Sequence, residues 1–246
     1  MMAKDAVADF AALDLSAVAL LLDIDGTIID LGPHPFEVHV PDMLLRSLDA
    51  LLKRTSGALA LVSGRPIRDI DTLFAPLRLP AIGGHGAELR PRHEVIAGAM
   101  PLPEPLRAML RQAESDGVVI EDKGYSFALH FRQAPQLEPR VRALVEKARA
   151  EFADDAIEVL PGKAMFEVKR SGVSKGEAVR KLMRETPFKD RAPVFIGDDV
   201  TDESVFAVLP VLKGTGYSVG RRFDGVAGVF AAPSEVRETL SRLALI

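Results

Sequence analysis

Asp23 and Asp25 stand two residues apart in DIDGT (23–27), directly after the apolar run AVALLL (17–22). SGR (63–65) follows a second such run in ALALVSGR (58–65), and GDD (197–199) follows a third in APVFIGDD (192–199). Lys175 opens a helix-like stretch, KGEAVRKLMRE (175–185), between them. Carboxylates, a hydroxyl and a fixed ammonium at one edge of one sheet would make a site for Mg²⁺-dependent phosphoryl transfer. Mg²⁺ prefers hard oxygen ligands and keeps several waters. Asp23 and Asp198 can offer carboxylates and Asp25 its main-chain carbonyl, with Asp199 counted beside them. The sequence leaves open whether Asp199 and Asp202 reach a metal directly or through water. Asp23, first after its strand, is best placed to attack phosphorus and form an aspartyl-phosphate. Asp25 can protonate the leaving alcohol and later deprotonate the attacking water. Gly26 lets the backbone come close to the phosphate. Ser63 and Lys175 are expected to hold the remaining phosphoryl oxygens.

Each motif alone has a plainer reading. DIDGT could be an acidic turn or part of a Ca²⁺ loop, but the longer Ca²⁺ pattern with its terminal glutamate is absent. SGR and GDD are common turns, and a lone lysine is usually solvated. Their order carries the inference, because each falls at a strand end or a helix start. In open α/β sheets, ligands bind outside the carboxyl ends of the strands. The elements needed to bring them there are legible. Residues 42–55 place Leu44, Leu45, Leu48, Leu51 and Leu52 on one helical face, with Gly57 as C-cap, and 79–84 reads as a further strand. This is the β-α-β alternation of a doubly wound, mostly parallel sheet. It returns after residue 172 with a helix over 175–185, a strand over 192–199, a helix over 202–209, a short strand at 217–220 and a closing helix capped by Ser234.

Between these halves the period changes. GVVIEDKGYSFALHFR (117–132) alternates, with Lys123-Gly124 as its turn. AIEVLPGKAMFEVKR (156–170) repeats the form with Pro161-Gly162 as the turn, and helices are expected over about 104–115 and 137–152. Residues 91–171 thus read as a smaller α/β domain inserted into a core made of 1–90 and 172–246.

Composition narrows the function. The chain has 246 residues, 48% hydrophobic and 27% charged, values of a globular protein with a sizeable core. Its net charge is −4 and its basic residues form only short pairs such as Arg221-Arg222, which argues against a nucleic-acid partner. It has no cysteine, hence no disulfide, thiolate metal site or Cys nucleophile. The apolar run before Asp23 is far short of the ~20 residues that span a bilayer, and no basic-then-apolar leader is seen. A cytoplasmic protein without a membrane partner is expected. His34 and His39 flank Phe36 and Glu37 in a proline-containing loop and read as solvated rather than as a metal pair. His130 reads as a packed or rim residue of its strand.

DIDGT, SGR, Lys175 in GVSKGEA and GDDVTDE together resemble the four motifs of the haloacid dehalogenase-like phosphatase superfamily, whose larger cap is inserted where residues 91–171 lie. More narrowly, GGHGAELR (83–90), VIEDKGYSFALHFR (119–132), LPGKAMFEVKR (160–170) and GDDVTDESVF (197–206) resemble the trehalose-6-phosphate phosphatase family. The resemblance implies an α/β core with a cap, Mg²⁺ as cofactor, and hydrolysis of trehalose 6-phosphate with Asp23 as nucleophile and Asp25 as acid/base. It implies Glu121, Lys123 and Glu167 as contacts to the distal glucose, and places His85 and Glu88 in the same cleft. Thr27, Gly64, Arg65 and Arg132, within the matched segments, are counted with Gly26 as substrate-binding. A trehalose-6-phosphate synthase would be a functional partner. The alternatives are a phosphatase for mannosyl- or glucosyl-3-phosphoglycerate or sucrose phosphate, and a catalytically silent sugar-phosphate sensor. A glycerate substrate would want an extra basic pocket, and a silent homologue should lack Asp23 or Asp25.

Overall fold

The run before DIDGT forms strand β1, Val18–Leu22, buried at all five positions. Val18, Leu20 and Leu22 enter one core, Ala19 and Leu21 another. A strand buried on both faces needs an unbroken apolar composition, which is why no alternation shows in its sequence. The structure, a computed structural model, describes residues 7, 10, 12–31, 38–97, 99–115, 117–162 and 164–245. His34, Phe36, Glu37 and Lys163 lie outside them.

The remaining strands in chain order are β2 (Leu59–Val62), β3 (Ala81–Gly83), β4 (Glu88–Arg90), β5 (Ile96–Ala97), β6 (Val119–Asp122), β7 (Ser126–His130), β8 (Ile157–Gly162), β9 (Met165–Arg170), β10 (Ala192–Gly197), β11 (Thr215–Val219) and β12 (Gly228–Phe230). The helices are α1 (Asp42–Arg54), α2 (Ile67–Leu73), α3 (Glu104–Leu110), α4 (Glu138–Glu151), α5 (Lys175–Leu182), α6 (Glu203–Val208) and α7 (Pro233–Leu245). The chain divides into two compact units, Met1–Gly98 with Ser174–Ile246, and Ala99–Val173.

The first unit is built on a sheet of order β12-β11-β10-β1-β2-β3-β4-β5. The pairs from β12 to β3 are parallel, whereas β3-β4 and β4-β5 are antiparallel. From β1 the chain steps outward to β2 and β3, and later to β10, β11 and β12 on the other side. The order therefore reverses between β1 and β10, the switch point at which such sheets open a crevice. One face is covered by α1 and α7 through Leu44, Leu48, Leu51, Val236, Leu240 and Leu243. The other is covered by α5 and α6 through Val179, Leu182, Val205 and Phe206.

The second unit is a sheet of order β6-β7-β9-β8, antiparallel throughout. One face carries Phe127, Leu129, Phe166 and Val168, packed on Leu106 and Leu110 of α3 and Val141 and Val145 of α4. The α-β-β-α-β-β order is that of the sequence.

Several local expectations fail for identifiable reasons. Pro161 and Gly162 are not the turn of their hairpin; they end β8, paired with Phe166 and Met165. β8 is an edge strand, where a proline without an amide proton costs no ladder bond. The chain reverses between Gly162 and Met165, with Ala164 at φ 58°. Ser234 is not the N-cap of the last helix, because Pro233, suited to a first helical position, begins it one residue earlier. The Glu235 carboxylate accepts the Ala231 amide there at 2.6 Å. The helix expected over 104–115 is α-helical only to Leu110 and tightens to a 3₁₀ turn at Arg111–Ala113. The β4-β5 hairpin keeps residues 91–97 with the large sheet, so the units part at 98/99 and 173/174 rather than 90/91 and 171/172.

Candidate active site

Adjacent strand ends at the switch point carry the acidic groups. Asp23 follows β1, and its amide donates to Ile196 O of β10, so the two strands deliver Asp23 and Asp198 side by side. Thr27 Oγ1 lies 3.0 Å from Asp23 Oδ2 and 2.8 Å from Asp198 Oδ1, tying the two carboxylates together. Gly26, at φ +84°, lies where a Cβ would run into the Asp198 carboxylate.

Lys175 is the first residue of α5, whose N-cap Ser174 accepts the Glu177 amide at 3.2 Å. Its side chain is almost wholly buried, and Nζ donates to Asp23 Oδ1 and to Asp202 Oδ1, each at 2.7 Å. Asp202 Oδ2 accepts the amides of Asp198 and Asp199 at 2.9 and 3.0 Å. Asp202 thus anchors both the lysine and the loop that presents Asp198. Asp199 turns away: its carboxylate accepts Val200 N at 2.6 Å and caps the 3₁₀ turn Val200–Asp202. A cluster with metal-ligand spacing therefore joins Asp23, Asp198 and Asp202, each offering an oxygen within 4.8 Å of the others, and does not include Asp199. The D-x-x-D spacing of Asp199 and Asp202, a capping-box pattern, is the sequence signal that separates them.

The electrostatics are those of three clustered carboxylates with one ammonium among them. Burial pushes Asp23 up to about 6 despite Lys175 beside it, and the Asp198 charge adds to the rise. Burial, reinforced by the Asp23 charge, takes Asp202 to about 6 as well. Asp198 is raised mainly by burial, with Asp202 contributing. Burial alone would lower Lys175, but Asp23 and Asp202 outweigh it and raise it above the ordinary lysine value. Three clustered carboxylates with one ammonium among them, all hard oxygen donors, fit a divalent cation such as Mg²⁺.

The β2 end adds a hydroxyl and a guanidinium. Ser63 is buried; its Oγ accepts the Arg65 amide at 3.1 Å, and its carbonyl accepts the His85 amide at 3.0 Å. Arg65 grips Asp25 with two bonds, Nε to Oδ2 at 2.7 Å and Nη2 to Oδ1 at 2.6 Å. Asp25 Oδ atoms are thus held by Arg65 and stand apart from the metal-type cluster. The His85 ring lies against Gly64, which has no room for a Cβ. His85 itself sits at φ 54°, an uncommon conformation for a non-glycine residue. Glu88 does structural work: its Oε2 accepts the Ile67 amide at 2.5 Å at the start of α2.

In the second unit, Glu121, Lys123 and Glu167 come together. Lys123 Nζ lies 3.5 Å from Glu121 Oε2 and 3.9 Å from Glu167 Oε1. His130 Nε2 stands 3.6 Å from the same Glu121 oxygen, so this residue, expected to be packing or rim, joins the group. The His130 ring beside Glu121 is the main cause that holds that carboxyl below its usual value, with Lys123 adding to it. Arg132 is exposed and outside the group.

A parallel-dominated α/β sheet with acidic groups at its switch point and an inserted α/β unit is the architecture of haloacid dehalogenase-like phosphatases. The Candida albicans trehalose-6-phosphate phosphatase C-terminal domain shares this fold, with a TM-score of 0.75 at 22% identity over 98% of this chain and 97% of that one. The sequence profile of the trehalose-phosphatase family matches residues 21–228. A trehalose-6-phosphate phosphatase of Escherichia coli is 41% identical over 84% of this chain and 79% of its own length. A probable trehalose-phosphate phosphatase of Sinorhizobium fredii is 40% identical over 95% and 90%. The chain belongs to the trehalose-phosphatase family, a family of phosphoric monoester hydrolases. No helix among the described residues is long and apolar enough to cross a membrane.

Proposed function

We propose that this chain hydrolyses trehalose 6-phosphate to trehalose and phosphate through an aspartyl-phosphate on Asp23. The observation that carries this is the Lys175 ammonium, 2.7 Å from Asp23 and from Asp202 in a buried acidic cluster within a trehalose-phosphatase chain. Asp23, Asp198 and Asp202 are the residues suited to Mg²⁺, which when bound offsets their excess negative charge and that of the phosphate. Lys175 and Thr27 fix both oxygens of Asp23, so the carboxylate is oriented before substrate arrives.

In the first step an Asp23 oxygen forms a bond to phosphorus, and the bond from phosphorus to the sugar oxygen breaks. That oxygen takes a proton from Asp25. In the second step water gives a proton to Asp25 and bonds to phosphorus, the bond to Asp23 breaks, and phosphate leaves. Asp25 has to release at least one Arg65 contact to carry that proton. The Ser63 hydroxyl, already an acceptor for Arg65 N, has its own proton to donate to a phosphoryl oxygen. Lys175 absorbs charge that builds as Asp23 attacks.

The second unit supplies sugar specificity through Glu121, Lys123 and Glu167, whose charged groups suit neutral sugar hydroxyls. Its role as a specificity cap, and that of the first unit as the phosphatase core, are part of the same proposal. So are a cytoplasmic setting and a functional link to the synthase that makes the substrate. Phosphate release from a panel of sugar phosphates, with and without Mg²⁺, tests it. Trehalose 6-phosphate should be hydrolysed well above the others and only with the metal. Equal rates across the panel would refute the substrate assignment.

A further inference from the structure

The register of the four-stranded sheet places Glu121 of β6 and Glu167 of β9 on either side of Ala128 of β7. Directly paired residues share a face, and neighbouring strands lie about 4.8 Å apart, so the two glutamate backbones are roughly 10 Å apart with Ala128 midway. Lys123 Nζ approaches both carboxylates, at 3.5 and 3.9 Å. The ammonium thus lies between the two acids, in the place that a longer side chain on Ala128 would fill. His130, also on β7, closes the outer end of the row against Glu121.

This row is charged and loosely joined. Its contacts, 3.5 to 3.9 Å, are well beyond the 2.7 Å of Lys175 with Asp23. Glu167 is 8% exposed. Among the described residues its carboxylate accepts no hydrogen bond, and the charge nearest to it is Lys123 at 3.9 Å. A carboxylate without hydrogen-bond donors keeps its acceptor sites open, and hydroxyl-bearing ligands supply donors.

We propose that Ala128 is a specificity-determining positioning residue: its small side chain leaves the place in which Lys123 holds Glu121 and Glu167 ready for sugar hydroxyls. It touches no reacting atom and acts through Lys123. The inference rests on the reading of that row as the sugar-binding group.

The test is the ratio of kcat/KM on trehalose 6-phosphate to kcat/KM on nitrophenyl phosphate, for the full chain with Mg²⁺. Ala128→Leu should lower this ratio by about 10-fold or more, the size of one to two lost charged hydrogen bonds. Ala128→Gly, which keeps the space, should hold the ratio within about threefold. Ala128→Val, whose branched side chain suits a strand, should lower the ratio as well and replaces the leucine variant in the test if that one does not fold. Binding of free trehalose, measured by titration calorimetry, provides a readout without turnover, and its dissociation constant should rise in step with the loss. A ratio unchanged in the bulky variants, or one lowered equally by glycine, would overturn the role of Ala128. A wild-type enzyme without preference for trehalose 6-phosphate would instead refute the substrate reading on which it rests.

Discussion

Replacing Lys175 by methionine keeps the volume of the side chain and removes its charge. The lysine donates two charged hydrogen bonds of 2.7 Å inside a site where Asp23 and Asp202 are nearly inaccessible to water. Charged hydrogen bonds contribute about 1.5–3 kcal/mol each, and breaking a buried pair costs about 3–5 kcal/mol. The two figures agree on roughly 4 kcal/mol, which in a chain of this size lowers Tm by on the order of 10 °C. The sign of the pH dependence follows from the acids. Asp23 and Asp202 titrate near 6 in the folded chain, above their ordinary value of 3.8. An acid raised on folding destabilises the fold as pH rises from its unfolded value through its folded one, because the unfolded chain then binds fewer protons. Without Lys175 both folded values rise further, so the deficit of the variant should be small at pH 5 and full at pH 7.5. Thermal unfolding of both proteins in EDTA at the two pH values measures it. The double variant Lys175→Met with Asp202→Asn should recover about 1–3 kcal/mol, since the amide oxygen can still accept the Asp198 and Asp199 amides. An equal deficit at pH 5 and 7.5, or none at either, would refute the electrostatic account of the cluster.

Mg²⁺ should raise Tm more at pH 7.5 than at pH 5, because protons compete for Asp23 and Asp202 below about 6; melts with metal and with EDTA at each pH measure the difference. Asp23→Asn should abolish turnover, and labelling by beryllium fluoride should disappear with it. Asp25→Asn should give a burst of nitrophenol from nitrophenyl phosphate and then stall, because the good leaving group needs little acid but the attacking water still needs a base. Glu167→Ala should lower kcat/KM on trehalose 6-phosphate by about 10²-fold, with a far smaller change on nitrophenyl phosphate. Parallel losses on both substrates would point to a folding defect.

The strands that deliver the acidic groups are the ones the sequence displays best. β1, β2 and β10 are buried on both faces, so each is an apolar run that stops where a polar motif begins. The β4-β5 hairpin is hidden because β4 has three residues and β5 two. Within β4, Arg90 is fully buried, its guanidinium bonded to Asp71 at 2.5 and 2.6 Å, which breaks the apolar pattern expected of a buried strand. Pro161-Gly162 carries a strong turn signal that an edge strand can absorb, and nothing local reveals that β8 is at an edge. Side-chain partners are the least legible level. The bidentate bond from Arg65 to Asp25 joins residues 40 apart, and the row His130, Glu121, Lys123 and Glu167 spans three strands.

Asp199 and Asp202 make the limit concrete. Both belong to GDDVTDE, both are acids, and either could be assigned to a metal by composition alone. One 3₁₀ turn between them gives the two acids different surroundings. The first acid caps that turn with its side chain at the surface, while the second is carried inward to Lys175 and to the amides of the loop. The carboxylate that helps hold Asp198 in place is therefore chosen by backbone geometry over four residues. The spacing of a capping box was the available clue, and it distinguishes the two acids only once the turn, rather than the metal, is taken as the first claim on Asp199.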